Sequence, residues 1–179
     1  CTSDGTDLGT TLVQDINPGS ASSSPTRITA VNADVYFNAT QGGTQYLMKT
    51  TGGGTGVTTL NNTVVSGGTF VSFFGFANKL FFMYDGYKPG IPSTATGREP
   101  WVSDGTNAGT MLVKDINTVI SANNANPASY ASAGNNVYFA ATNSSNGVEF
   151  WKTDGTEAGT ILLKDIIPGS SSSSPANLT

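Results

Sequence analysis

The chain has 179 residues, of which only 11% are charged, a formal net charge of -4 and no histidine. Its eight Lys and Arg are scattered, so it lacks the basic footprint that a phosphate backbone requires, and a nucleic-acid partner is excluded. Without histidine the commonest general base and metal ligand are both missing, and no apolar run approaches the ~20 residues of a membrane span.

The first segment, CTSDGTDLGTTLVQDI from Cys1, closes a unit over 1–16. A single cysteine forms no intrachain disulfide. Its first position invites a lipid-anchor reading, but Cys1 also falls on a repeat position, and that reading is preferred. A Ser-rich linker, NPGSASSSPTRIT from Asn17, opens the unit 17–62. There the pattern predicts strands over Thr26 to Val31, Val35 to Ala39 and Gln45 to Lys49, with a tight turn at Asn32-Ala33.

The next unit, 63–116, holds KLFFMYD from Lys79, an inserted loop over 85–97, and EPWVSDGT leading to a fourth strand over Thr110 to Ile116. Unit 117–166 predicts strands over Ala128 to Ala133, Val137 to Ala141, Val148 to Lys152 and Thr160 to Ile166, with a turn at Gly134-Asn135. The chain closes on IPGSSSSSPANLT, the opening of a further unit over 167–179.

Self-similarity ties these segments together. WVSDGTNAGTMLVKDI from Trp101 and WKTDGTEAGTILLKDI from Trp151 match the first segment, with Asp4, Asp104 and Asp154 in register. Between the first two lies a decayed copy, YLMKTTGGGTGVTTL from Tyr46, in which Thr51 takes the Asp place and Gly52 keeps the Gly place. Aromatic pairs recur at Tyr36-Phe37, Phe81-Phe82 and Tyr138-Phe139. Asp-Gly marks a turn, so Gly5, Gly105 and Gly155 are expected as structural turn residues with positive φ.

Four short strands per ~50 residues, in tandem and with no 3.6-residue apolar period, predict an all-β chain of four-stranded β-propeller blades. A linear β-solenoid is the competing architecture, but its coils are usually shorter. Three and a half units do not close a ring of the usual ~4–8 blades. A junction between two such chains would lack the aromatic second strand. An excerpt of a larger propeller is therefore expected, rather than a closed pair.

The segments EPWVSDGT (Glu99 to Thr106) and EFWKTDGT (Glu149 to Thr156) resemble the ELWxxDGT repeat family of large secreted and surface proteins of bacteria. The resemblance covers essentially the whole chain. In the first copy Cys1 stands where Trp is expected, and the second copy has lost both Trp and Asp. The resemblance implies propeller-like blades and an extracellular or cell-surface location. The family has no agreed activity, so the resemblance implies no catalytic residue.

The recurring acids and the aromatics are the candidates for chemistry. Asp4, Asp104 and Asp154 recur with Asp15, Asp115 and Asp165, and two carboxylates per unit could take Ca2+ through oxygen ligands. The competing reading has the first Asp capping its own turn and the second solvated or paired with Lys114 or Lys164. Glu99 and Glu149 could serve as a glycosidase pair, but their equivalence across units argues for structure. Tyr46, Tyr84, Tyr87 and Tyr130 are candidates for stacking on a sugar. Of these, Tyr84 and Tyr87 join Asp85 and Lys88 as the candidate ligand contacts at the insertion. Sequons stand at Asn38, Asn61, Asn143 and Asn177.

The expected function is a non-enzymatic extracellular repeat module, a scaffold or adhesion element binding glycans, surface proteins or copies of itself, with no resident cofactor. A propeller-based glycan-active enzyme and a Ca2+-dependent binding module are the alternatives.

Overall fold

The structure, a computed structural model, describes residues 1–54, 56–60, 68–85, 97–118 and 124–179. Among the described residues twelve strands form three antiparallel sheets, and there is no helix. The first sheet runs β1 (Thr26–Val31), β2 (Asp34–Gln41), β3 (Thr44–Thr51), β4 (Thr58–Leu60). The second runs β5 (Phe70–Phe76), β6 (Lys79–Tyr84), β7 (Glu99–Ser103), β8 (Met111–Leu112). The third runs β9 (Ala128–Ala133), β10 (Asn136–Asn143), β11 (Gly147–Thr153), β12 (Ile161–Lys164). In each sheet, neighbours in sequence are neighbours in space.

Turn chemistry explains the hairpins. The β1–β2 turn places Asn32 at φ 54°, the β5–β6 turn places Ala77 and Asn78 at 48° and 64°, and the β9–β10 turn places Gly134 at 56°. Primed two-residue turns need such values, and they match the right-handed twist of the flanking strands. Each first strand also carries a bulge against its partner. It coincides with a left-handed residue, Arg27 at 55°, Ser72 at 52° or Ser129 at 54°, and the same φ recurs at Asn177.

The fourth strands are shorter than the sequence suggests. Thr110 to Ile116 contributes only Met111–Leu112, and Thr160 to Ile166 only Ile161–Lys164. The strand is diverted at its far end. The Ile116 N–H leaves the ladder to donate to the Glu99 carboxylate at 2.9 Å, and the Ile166 N–H donates to Glu149 at 3.0 Å.

Two apolar clusters are shared between successive sheets, and a third, of Phe139, Ala141 and Trp151 with Ile116 and Ala125, lies between the third sheet and its linker. Val31, Tyr36, Leu47 and Leu60 of the first sheet meet Phe70, Leu80, Phe82, Tyr84 and Trp101 of the second. Phe81, Val102 and Val113 of the second region meet Val137 and Tyr130 of the third. A sheet that is apolar on both faces cannot satisfy itself, so each depends on its neighbours. The β1–β2 and β5–β6 turns touch through the side chains of Asn32 and Asn78. Gly75 brings β5 so close to β1 that a Cβ there would lie 2.9 Å from the Ala30 carbonyl oxygen. At the amino-terminal end Ile16 covers Phe37, Ala39 and Met48 of the first sheet.

Candidate functional site

The repeated DGT corner joins the third and fourth strands, and it is built the same way three times. In the second unit, Asp104 Oδ1 accepts from the Thr106 N–H at 2.9 Å and from its hydroxyl at 2.7 Å. The Thr106 oxygen in turn accepts from the Gly109 N–H at 2.9 Å, and the Thr110 hydroxyl donates to the Thr106 carbonyl at 2.6 Å. Ser103 and Thr110 share a hydroxyl–hydroxyl bond of 2.7 Å, and Ser103 Oγ accepts from the Gly105 N–H. The same bonds recur around Asp154 and around Asp4. Gly5, Gly105 and Gly155 sit at φ +93°, +87° and +90°.

These bonds set the electrostatics of the aspartates. The hydroxyl and then the N–H of the following Thr hold Asp4, Asp104 and Asp154 below the usual carboxylate range. The anion is therefore stabilised by its own loop. The decayed copy between β3 and β4 of the first sheet shows what is lost with the Asp. There Thr50 donates to the Gly56 carbonyl instead, at 2.7 Å, and Gly53 takes the positive φ.

A Ca2+ site fits this corner poorly. The repeated Asp of each corner is already engaged by neutral donors of its own loop. Among the described residues no three acidic or Cys side chains gather where they could hold a metal ion. Asp165 is likewise engaged, by the Asn146 amide at 2.8 Å and the Gly169 N–H at 3.2 Å. Lys114, expected beside Asp115, instead donates to the Thr160 carbonyl of the next unit at 3.0 Å. Thermal melting in excess chelator is accordingly expected to match melting in added Ca2+, and a shift of several degrees would show that the corners bind the ion.

Glu99 and Glu149 are both fully buried. Glu99 accepts from the N–H groups of Ile116 at 2.9 Å and Ala125 at 3.2 Å. Glu149 accepts from the N–H groups of Ile166 at 3.0 Å and Ser173 at 2.9 Å, and from the Ser173 hydroxyl at 2.6 Å. Each glutamate thus staples both ends of the following linker to its own sheet. Burial pushes the Glu99 carboxyl up to about 8, with Asp115 adding to it and the N–H groups of Ile116, Ala125 and Asn117 opposing. Burial also pushes up on Glu149, but the Ser173 hydroxyl and the N–H groups of Ile166, Ser173 and Ile167 outweigh it and hold the group below its usual range. Two things differ: Ala125 stands where the other linker has Ser173, so Glu99 lacks the hydroxyl, and Asp115 acts on Glu99 alone.

The candidate contacts at the insertion separate. Tyr84 is fully buried, its ring 4.5 Å from that of Phe70 in a stacked pair and edge-on to Trp101. Its faces serve the core, so it offers no surface to a sugar. Asp85 accepts from the Thr69 N–H and pairs with Arg98 at 3.4 Å, closing the neck of the insertion. Tyr87 and Lys88 lie outside the described residues. Tyr130 packs between Phe74 and Phe139, and Tyr46 is half-buried against Phe37 and Met48.

The sequons separate too. Asn38 is 1% exposed and its amide oxygen accepts from the Thr26 hydroxyl, so in the folded chain it is closed to a glycan. Asn143 caps the β10–β11 turn by accepting from the N–H groups of Ser145 and Asn146. Asn177 is exposed, and Asn61 lies outside the described residues.

Sequence reasoning did not single out Gly9, Gly109 and Gly159. A Cβ at these positions would lie 1.9–2.4 Å from the carboxylate of Asp4, Asp104 or Asp154. The signal was available, because each stands five residues after its Asp in all three intact copies. No protein-family model, curated protein or solved structure matches the chain.

Proposed function

We propose that this chain is a non-catalytic scaffold module, a run of propeller-type blades of the ELWxxDGT kind exposed at a bacterial surface. The observation that carries this reading is the fate of the repeated acids. Asp4, Asp104, Asp154, Glu99 and Glu149 are each bound by backbone N–H groups of their own unit. Acid groups spent on holding loops and linkers are poorly placed to move protons on a substrate. The blade reading draws support from the apolar clusters shared between successive sheets and from the repeated approach of one unit's corner to the sheet before it.

The test is an assay of the purified chain on polysaccharide, glycoside and peptide panels. No turnover is expected. Turnover that Glu99→Gln or Glu149→Gln abolishes, with the fold intact by circular dichroism, would replace the scaffold reading with that of a glycan-active enzyme.

A further inference from the structure

The corner of a unit meets the unit before it at two points. The first is the turn glycine. A Cβ on Gly105 would lie 2.6 Å from the Tyr36 hydroxyl and 2.7 Å from Lys49 Nζ, and a Cβ on Gly155 would lie 3.3 Å from Lys79 Nζ. The second is the residue just before the fourth strand, and there two seams differ in chemistry. Lys114, beyond β8, donates from Nζ to the Thr160 carbonyl at 3.0 Å. Gln14 holds the matching place in the first segment, where TLVQDI stands against MLVKDI. Its Oε1 accepts from the Val57 N–H at 2.8 Å. Val57 and Thr160 are equivalent, because each immediately precedes its fourth strand, in which Thr58 pairs with Lys49 and Ile161 with Lys152. One position therefore reaches the same place in the next unit twice, once for a carbonyl and once for an N–H.

The difference follows from the corners themselves. In an intact corner the N–H at this place is used locally. Thr160 donates to the Glu157 carbonyl at 3.2 Å, as Thr10 does to Asp7 and Thr110 to Asn107. What is left for the preceding unit is a carbonyl, which takes a donor. The decayed corner has lost the Asp that organises this loop. Its Gly54 N–H donates to the Thr51 carbonyl, the Thr50 hydroxyl donates to the Gly56 carbonyl, and the Val57 N–H turns to Gln14. An N–H takes an acceptor, which a glutamine oxygen is and an ammonium is not. Gly54 permits the close approach, since a Cβ there would lie 3.2 Å from Val13 Cγ2.

We propose that the residue at positions 14 and 114 selects the kind of unit that can follow it, an acceptor for the decayed corner and a donor for an intact one. Tandem repeats are held by contacts between nearest neighbours, so a seam whose donors and acceptors disagree is a local fault. A lysine at position 14 would set an ammonium against the Val57 N–H, and an apolar side chain at 114 would leave the Thr160 carbonyl without its donor. The units are thus joined by matched pairs and are not interchangeable, although their corners descend from one pattern. This matching goes beyond the scaffold role and is read by exchange and unfolding rather than by turnover, so the two fail separately.

The test is amide hydrogen exchange, followed by NMR on the 179-residue chain, with urea unfolding in parallel. Gln14→Lys should speed exchange of the Val57 amide about tenfold, the loss of one hydrogen bond, while Gln14→Glu, which keeps an acceptor, should leave it near the wild-type rate. The amides of Leu47 and Leu60 in the same sheet should keep their rates in both variants, which separates a fault at the seam from general loosening. At the other seam Lys114→Met, which removes the donor and keeps the length, should lower the urea midpoint, and Lys114→Arg, which keeps a donor, should not. Wild-type exchange at Val57 in Gln14→Lys, equal effects of Gln14→Lys and Gln14→Glu, or equal midpoints for Lys114→Met and Lys114→Arg would overturn the proposal.

Discussion

Gly109→Ala is expected to destabilise the chain by about 3 kcal/mol, the upper part of the range for inserting a methyl where there is no room. The added Cβ would lie 2.1 Å from the Asp104 carboxylate. That carboxylate cannot swing away cheaply, because Thr106 holds it through two bonds. The backbone could yield instead, but then the corner would lose its seat on Tyr36 and Lys49 of the first sheet. Gly9→Ala meets the same collision with Asp4 at 1.9 Å, yet its corner carries no neighbouring sheet at Gly5. Urea unfolding should therefore show a lowered midpoint for Gly109→Ala and nearly the wild-type midpoint for Gly9→Ala. Adding Asp104→Ala to Gly109→Ala should recover part of the loss, because the colliding group is gone and the two changes couple. Equal effects at positions 9 and 109 would mean that the corner's seat on the neighbouring sheet contributes nothing.

The two glutamates should give opposite pH profiles. Glu99 binds its proton more tightly in the folded chain, with its value raised from 4.5 to about 8. Its contribution is therefore complete below about 4.5 and is lost as pH rises through about 8. Glu149 is shifted downward from 4.5. Its contribution is present above that value and is lost as pH falls through the lowered one. Urea midpoints across this range should show Glu99→Gln near the wild type at low pH and above it as pH rises toward 8, and Glu149→Gln below the wild type at neutral pH and closing on it as pH falls. Ala125→Ser, which imports the hydroxyl that Ser173 provides to Glu149, should pull the Glu99 value down and flatten the alkaline decline. Glu99→Ala strands the N–H groups of Ile116 and Ala125 in the interior and is expected to cost about 3 kcal/mol near pH 6. Parallel profiles for the two Gln variants would contradict the assigned environments.

Much of the strand layout is legible because turn residues punctuate it. Thr26–Val31 and Ala128–Ala133 are the predicted first strands to the residue, since Pro stands just before each and Asn or Gly turns follow. The bulges are not legible. Arg27, Ser72 and Ser129 share a left-handed φ but no residue type that favours one, so only the pairing register reveals it. The aspartates read correctly as turn residues because their partners lie within the same loop. The glutamates do not, because each bonds backbone 17 or more residues onward, a distance at which sequence carries no pairing signal. The same limit misplaced Lys114, whose acceptor is 46 residues away, and Tyr84, which is buried against Phe70 and Trp101 of its own sheet.

The reach of the corner bonds bears on how the chain acquires its structure. None spans more than seven residues, and loops of that size close in roughly 10–100 ns. Gly105 and Gly155 can thus be preformed before any sheet is complete, leaving the slower search to the meeting of one sheet with the next. Folding would then spread from unit to unit, and a defect at one corner would arrest growth at that boundary while leaving the units already assembled intact.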